Sequence, residues 1–161
     1  MSILIDRREN INIAIMYVEE KKPHGNDVFT FIRSESELSE WKEKGYRLET
    51  EPSSQPGISR TDESKIIHVL ESRWKKISWK DQNEIYSKSL KQTTDGQGKN
   101  KTELDAILYR DLKLKIALIG WNVKDNTGAV IPVTPENIDA LVPDVAMELL
   151  NTFEKLTEAT S

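Results

Sequence analysis

The sequence predicts an α+β fold: a mainly helical carboxy-terminal domain with three to four helices and a small β-hairpin, preceded by a strand-containing amino-terminal region. Three observations predict this fold. In the β-branched stretch 11–18, Ile11, Ile13 and Ile15 alternate with Asn12, Ala14 and Met16, which is typical of a strand with one packed face. Apolar residues recur at helical spacing in three later segments. Between these regions, the segment EPSSQPGISRT at residues 51–61 has the composition of a surface loop.

The first 50 residues are predicted to form a hairpin or an extended arm, followed by a short helix. Pro23 and Gly25 provide a turn signal between two β-rich runs. Ser34 and Glu37 form a capping box at a helix start, and Gly45 ends that helix. The predicted elements are strands over residues 11–18 and 28–32, a helix over residues 35–44 and a returning strand over residues 46–50.

The loop is the predicted boundary within the chain. It divides the sequence into an amino-terminal strand and helix region or arm (1–50), a linker (51–61) and a helical domain (62–161). The helical domain begins with an ambiguous segment, residues 65–74. Its β-branched residues favour a strand, whereas Thr61 or Asp62 would cap a helix. We predict a strand.

Two amphipathic helices are predicted next, over residues 78–92 and 103–119. Ser78 and Asp81 form a capping box for the first helix, and Thr102 and Asp105 cap the second. The intervening stretch TTDGQGKNK, residues 93–101, contains two glycines and no apolar residue. Such a composition is typical of a mobile connection.

The last 40 residues are predicted to form a small hairpin and two helices. Gly120 ends the preceding helix, and Gly128 supplies the turn of a hairpin over residues 122–133. Thr134 caps a short helix in which Pro135 takes the first position. A final amphipathic helix follows the break at Pro143.

Composition and motif content argue against an enzyme. The chain has no Cys and two His, which excludes thiolate nucleophiles and disulfides and disfavours a zinc site. The sequence contains no nucleotide-binding glycine loop, G-x-S-x-G motif or H-E-x-x-H motif. We therefore predict no catalytic residue, no metal and no cofactor. His24 is predicted to be solvent-exposed in a turn. His68 is assigned a structural role, with a hydrolase centred on it as an alternative.

Charge and hydropathy predict a soluble protein of the cytosol. No run approaches 18 apolar residues, and charged residues occupy the amino terminus where a signal peptide needs an apolar stretch. Asp and Glu number 27 against 23 Lys and Arg, for a formal net charge of -4. This charge disfavours binding to phosphate backbones.

One local feature of the sequence favours binding to nucleic acid. The segment RWKKISWK, residues 73–80, combines basic residues with two tryptophans that are able to stack on bases. Acidic residues on both sides cancel much of its charge, so a nucleic-acid-associated module is kept only as an alternative. In the other interpretation, Trp74 and Trp79 are core or interface anchors.

Large aromatic side chains are the candidates for contacts with other proteins, because Trp and Tyr bury large areas at the centres of interfaces. The candidate interaction residues are Trp41, Trp74, Trp79, Tyr86, Trp121 and Phe153.

The order of segments over residues 73–156 resembles that of a known protein family. A tryptophan precedes Gln-Asn-Glu-Ile, a later helix ends in a tryptophan, and a glycine turn leads to a helix start of the form V-P-x-T-x-E-N-I. The matching residues are Trp79, Gln82, Asn83, Glu84, Ile85, Arg110, Leu112, Trp121, Gly128, Ile131, Pro132, Thr134, Glu136, Asn137, Ile138 and Leu141. This arrangement resembles small tail proteins of long-tailed bacteriophages, in particular the tail assembly chaperone group.

The resemblance implies a non-enzymatic protein that acts through protein–protein interactions in tail assembly. Its partners would be tail tube, tape measure or baseplate subunits, kept soluble until they polymerise, and its location would be the host cytoplasm. The strand-rich arm leaves room for an alternative, a structural subunit incorporated in the virion tail or baseplate. A homo-oligomer is compatible with either role.

Overall fold

The computed structural model describes residues 9–25, 27–50 and 65–159, which form seven strands and five helices. In chain order the elements are β1 (Asn10–Glu20), β2 (Val28–Ile32), α1 (Glu35–Glu43), β3 (Arg47–Leu48), β4 (Ile66–Lys75), α2 (Trp79–Ser89), β5 (Leu90–Thr94), β6 (Asn100–Leu104), α3 (Ala106–Ala117), β7 (Leu118–Trp121), α4 (Pro135–Asp139) and α5 (Pro143–Ala159).

A five-stranded sheet organises the fold. Its order is β2-β1-β4-β3, and β7 also pairs with β4. The long strands β1 and β4 are antiparallel from the pair Asn10 and Lys75 to the pair Tyr17 and His68. The short strand β3 is parallel to β4. Strands that precede the predicted linker therefore share a sheet with a strand that follows it, while residues 51–61 lie outside the described residues.

The predicted fold class was wrong in its emphasis on helices. Strands are more prominent than expected, and β4, β5, β6 and β7 all belong to the region predicted to be a helical domain. The strand predicted over residues 65–74 is confirmed as β4, which lies inside the sheet between β1 and its two other partners. The carboxy-terminal helices thus pack around a sheet and do not form a separate helical unit.

One face of the sheet holds the larger hydrophobic core. Ile13 and Ile15 of β1 and Trp74 of β4 are buried there together with residues of α3, α4 and α5. The Trp74 indole stacks on Phe153 of α5, with ring centroids 4.5 Å apart and planes inclined by 14°. The indole N–H donates to Ser72 Oγ at 2.8 Å, which satisfies its buried polar atom.

The opposite face carries a smaller core beneath α1. Val18, Ile32 and Ile67 are buried on this side. Trp41 of α1 packs edge-on against Tyr46, with a centroid separation of 4.8 Å. The amphipathic period of β1 therefore changes along its length, because its first half packs on one face and its second half contributes to both.

Three predicted helix starts are confirmed. The Ser34, Ser78 and Thr134 hydroxyls each accept a backbone N–H in the first turn of α1, α2 and α4. At α1 the reciprocal half of the capping box differs, because the Glu37 carboxylate accepts from the Arg33 amide. Gly45 ends α1 with a φ of 94°, a conformation that costs glycine little.

Four predictions between residues 93 and 133 were wrong in whole or in part. Residues 93–101 do not form an unstructured connection, because they complete a hairpin between β5 and β6. Thr102 lies in β6, so Asp105 alone caps α3. Gly120 does not end a helix, since it lies inside β7 opposite Arg73. At residues 122–133 the expected hairpin is reduced to a single antiparallel bridge between Lys124 and Val130.

Candidate protein-interaction surface

Residues 79–117 form an arm in which α2 and α3 flank the β5–β6 hairpin. The two helices pack on each other through Tyr86 and Tyr109, whose ring centroids are 5.4 Å apart. Gln82 Nε2 also donates to the Tyr109 hydroxyl at 3.3 Å. At the base of the hairpin, the Asp105 amide donates to the Ser89 carbonyl at 2.7 Å. These contacts set the two helices side by side.

Hydrogen bonds in its turn stabilise the β5–β6 hairpin, which lies between the two helices. Asp95 Oδ1 accepts the amides of Gln97 and Lys99, and Gly98 adopts a φ of 80°. Both strands are polar apart from the pair Leu90 and Leu104 nearest the helices. The hairpin forms a two-stranded sheet of its own and does not join the five-stranded sheet. Among the described residues, the strand pairing of β5 and β6 is therefore confined to their own ladder.

The arm exposes a group of large apolar side chains, which we call the arm surface. Trp79 is 81% exposed and Ile107 is 72% exposed. The complete set is Trp79, Tyr86, Leu90, Leu104, Ile107 and Leu108. Single exposed apolar residues are ordinary in soluble proteins. Six of them on one helix–hairpin–helix unit make the arm the candidate interaction region of the described residues.

Local structure explains why these residues remain exposed. Asp105 Oδ1 accepts the amides of Ile107 and Leu108, which fixes the first turn of α3 beside the hairpin. The same helix buries Leu114 and Ala117 two turns later, where it reaches the sheet core. The helix thus enters the core only with its second half, and its first half carries apolar side chains into solvent.

The six aromatic candidates separate into three environments. Trp79 and Tyr86 belong to the arm surface. Trp41 and Trp121 are half-buried, and the Trp121 indole donates to the Ile131 carbonyl at 2.6 Å. Trp74 and Phe153 are buried against each other, so they contribute to the core and present no surface to a partner.

Sequence reasoning missed Leu104, Ile107 and Leu108 as surface residues. They lie within the amphipathic helix predicted over residues 103–119, and none of them was among the candidate interaction residues. The available signal was the Asp105 cap, because a helix that starts there presents Ile107 and Leu108 in its first turn, next to a polar hairpin.

The basic segment of residues 73–80 is not a continuous surface. Trp74 points into the core, whereas Trp79 points to solvent. Lys75 pairs with Asp81 at 3.2 Å, and Lys76 pairs with Glu9 at 2.5 Å. The basic and aromatic groups are thus divided between different environments, which weakens the case for stacking and phosphate contacts at one site.

A groove of about 500 Å³ opens on the sheet where β1, β4 and β7 meet. Asn12, Glu71 and Arg73 line it. Arg73 lies across Gly120, where an added Cβ would come within 3.0 Å of Arg73 Nη2. Ile13, Ala14 and Trp121 also line the groove, so its lining is mixed.

His68 lies in β4 opposite Tyr17 of β1, in a structural environment. Its Nδ1 is 3.1 Å from Glu49 Oε2, and its ring stacks on Tyr17 with centroids 5.2 Å apart. Glu49 Oε1 accepts the Val69 amide at 2.9 Å, so the carboxylate holds the end of β3 against β4. Burial, followed by the negative charges of Glu49 and Glu19, raises the pKa of Tyr17. The Tyr17 hydroxyl therefore remains protonated at neutral pH.

Over residues 9–25, 27–50 and 65–159, no three His, Asp or Glu side chains are grouped so as to hold a metal ion. None of the helices in this part of the chain is both long enough and apolar enough to cross a membrane.

No protein-family model, curated protein or solved structure matches the chain.

Proposed function

We propose that this protein acts by binding other proteins through its arm surface, as a chaperone-like component of bacteriophage tail assembly. The observation that carries the proposal is the exposure of Trp79 and Ile107 on one supersecondary unit, 81% and 72% respectively. Tryptophan is the residue most often found at the energetic centre of protein interfaces.

The energetics favour a partner that covers this surface. Burial of one large apolar side chain is worth about 1.5–3 kcal/mol relative to exposure in water. Two such residues at the centre of an interface supply enough free energy to change affinity by a factor of ten or more. The same residues contribute little to the fold, because they face solvent in the free protein.

The phage context is supported by the resemblance of residues 73–156 to tail assembly chaperones. Trp79 opens the matched series, and α2, which it begins, forms one side of the arm. A chaperone needs accessible apolar groups that bind subunits with unsatisfied apolar surfaces and that release them on polymerisation. The exposed side chains of the arm satisfy the first requirement.

The test measures binding of the purified full chain to tail tube and tape measure subunits of the phage that encodes it. We expect the wild-type chain to hold one of them soluble and to delay its polymerisation, followed by light scattering. The double variant Trp79→Ser and Ile107→Ser should bind at least about tenfold more weakly, through loss of buried apolar area.

Val130→Ser provides the matched control. Val130 is also an exposed apolar residue. It lies outside the arm, where it forms an isolated β-bridge with Lys124. Its replacement should leave binding unchanged. Equal affinity of the double variant and the wild type, or absence of binding to every tail subunit, would overturn the proposal. If purified virions contain the chain in stoichiometric amounts, the protein is a structural subunit of the tail or baseplate.

A further inference from the structure

The strand β2 has an uncharged outer edge. It lies at the end of the five-stranded sheet and pairs with β1 on one side only. Its sequence is Val-Phe-Thr-Phe-Ile, and among the described residues its outer backbone groups have no hydrogen-bond partner. Edge strands without charges or proline are templates for pairing with another strand.

The two strands of the separate hairpin are protected edges. The hairpin strands β5 and β6, also of five residues each, carry Lys91, Lys101 and Glu103. Charged residues on an edge oppose pairing with other chains. Only β2 among these strands combines strong β-forming residues with the absence of charge.

We propose that β2 pairs antiparallel with β2 of a second copy of this chain, with Thr30 opposite Thr30. In this register Val28 lies opposite Ile32 of the other copy, and Phe29 lies opposite Phe31. Opposed aromatic and β-branched pairs are the favourable cross-strand combinations. The pairing joins the two sheets into one and buries the outer edge of both.

Charges at the two ends of β2 select this register. Asp27 precedes the strand and Arg33 follows it, so the antiparallel pairing places each Asp27 opposite Arg33 of the other copy. A parallel, in-register pairing would instead oppose Asp27 to Asp27 and Arg33 to Arg33, which is unfavourable. A shift by one residue would separate the opposite charges.

The Arg33 guanidinium is held in place and has room to bind a second carboxylate. Its Nε and Nη2 donate to the two carboxylate oxygens of Glu148 at 2.9 and 2.7 Å, which fixes the guanidinium at the end of β2. The Arg33 side chain is still 62% exposed, and its Nη1 donates to no described residue. The guanidinium therefore presents an ordered donor to the incoming Asp27.

A charge-exchange experiment tests the register. Thr30 is the only residue that meets its own copy, so Thr30→Lys opposes two lysines and Thr30→Glu opposes two glutamates. Sedimentation velocity up to about 100 µM, suited to the modest affinity of a small interface, should show wild-type dimers of twice the 18.5 kDa chain mass. Each variant alone should associate at least tenfold more weakly, and an equal mixture should recover the dimer.

Thr94→Lys on β5 is the matched control, because it adds the same charge to a strand of the other sheet. It should leave the dimer intact, as should the double variant of the arm surface. A monomeric wild-type chain at the highest concentration, or self-association of both Thr30 variants at wild-type strength, would overturn the proposal.

Cross-linking gives a second measurement, since the chain contains no cysteine. With Thr30→Cys, the two Cα atoms would be about 4.5–5.5 Å apart, within the range that a disulfide bridges. With Val28→Cys, the two cysteines would be about 13 Å apart along the strands. Mild oxidation should link the first variant much faster than the second. Equal rates, or no linked dimer from either variant, would contradict the register.

Discussion

Large apolar residues at helical spacing are buried in the sheet core but exposed on the arm. In α5, Leu149, Leu150 and Phe153 repeat at helical spacing and are buried. In the arm, Trp79 and Ile107 belong to comparable helical patterns and are among the most exposed apolar residues of the described chain. The difference teaches that periodicity identifies an apolar face without identifying what covers it. In the core the sheet covers that face, whereas in the arm we propose that a partner does so.

The largest expected effect is on the free energy of unfolding, and it compares Trp74 in the sheet core with Trp79 in the arm. Trp74→Ala should lower the free energy of unfolding by about 3–5 kcal/mol, because it leaves a cavity beside Phe153 and removes the stacked ring. Trp79→Ala should change it by less than about 0.5 kcal/mol. Urea denaturation followed by circular dichroism measures both values. Similar losses for the two variants would show that the arm tryptophan is structural.

The next effect concerns the buried hydroxyl that supports Trp74. Ser72 Oγ accepts the indole N–H and donates to the Ile13 carbonyl at 3.1 Å. Ser72→Ala should cost about 1–3 kcal/mol, because the indole N–H then lacks a partner in a buried site.

Ser87→Ala is the corresponding change in the arm. The Ser87 hydroxyl is exposed and donates to the Glu84 carbonyl one turn away. Water replaces it as a partner for that carbonyl, so the same denaturation experiment should find a change below about 0.5 kcal/mol. If Ser72→Ala costs no more than Ser87→Ala, the buried network does not stabilise the core.

A smaller effect tests the ion pair between β2 and α5. The hydrogen bonds from Arg33 lower the pKa of Glu148 below its ordinary value. A lowered folded-state pKa stabilises the protein above about pH 4.3, the ordinary glutamate value, and this contribution is lost as pH falls through the folded-state pKa. Glu148→Gln should therefore cost about 1 kcal/mol at pH 7, a modest value because Arg33 is largely exposed.

The difference between the Glu148→Gln variant and the wild type should shrink towards zero near pH 3, in urea denaturation at both pH values. Lys88 and Glu84 form an exposed i,i+4 pair on the arm, and Glu84→Gln should produce a much smaller pH-dependent difference. A cost for Glu148→Gln that is equal at both pH values would mean that the glutamate acts through packing and not through charge.

Local chemistry predicted much of the fold. The caps at Ser34, Ser78 and Thr134 and the alternation in β1 depend on residues close in sequence, and the structure confirms them. The sheet order could not be predicted, because β4 pairs with strands from distant parts of the chain. For the arm, Trp79 and Tyr86 were candidates from residue type alone, whereas the exposure of Ile107 depends on how far α3 extends from the sheet.

The hairpin was missed although its turn has a sequence signature. Asp95–Lys99 and Asp125–Ala129 share the pattern D-x-x-G-x and the same hydrogen bonds, in which the Asp carboxylate accepts two later amides and the glycine has a positive φ. The second copy was predicted as a turn, because apolar residues follow it. The first was predicted as a mobile connection, because the strands beside it are polar and give no periodic signal.

The smallest expected effect tests that hairpin. Gly98 has a φ of 80°, which costs alanine about 1–2 kcal/mol, whereas Gly96 has no positive φ and open space around it. Gly98→Ala should speed amide exchange in β5 and β6 several-fold, while Gly96→Ala should leave it unchanged or slower. Because the hairpin is a separate two-stranded sheet, it opens without the core, and neither variant should alter the main unfolding transition by more than about 0.5 kcal/mol. A large global loss with Gly98→Ala would instead mean that the arm and the core unfold as one unit, and the contrast between the two regions would then be confined to their surfaces.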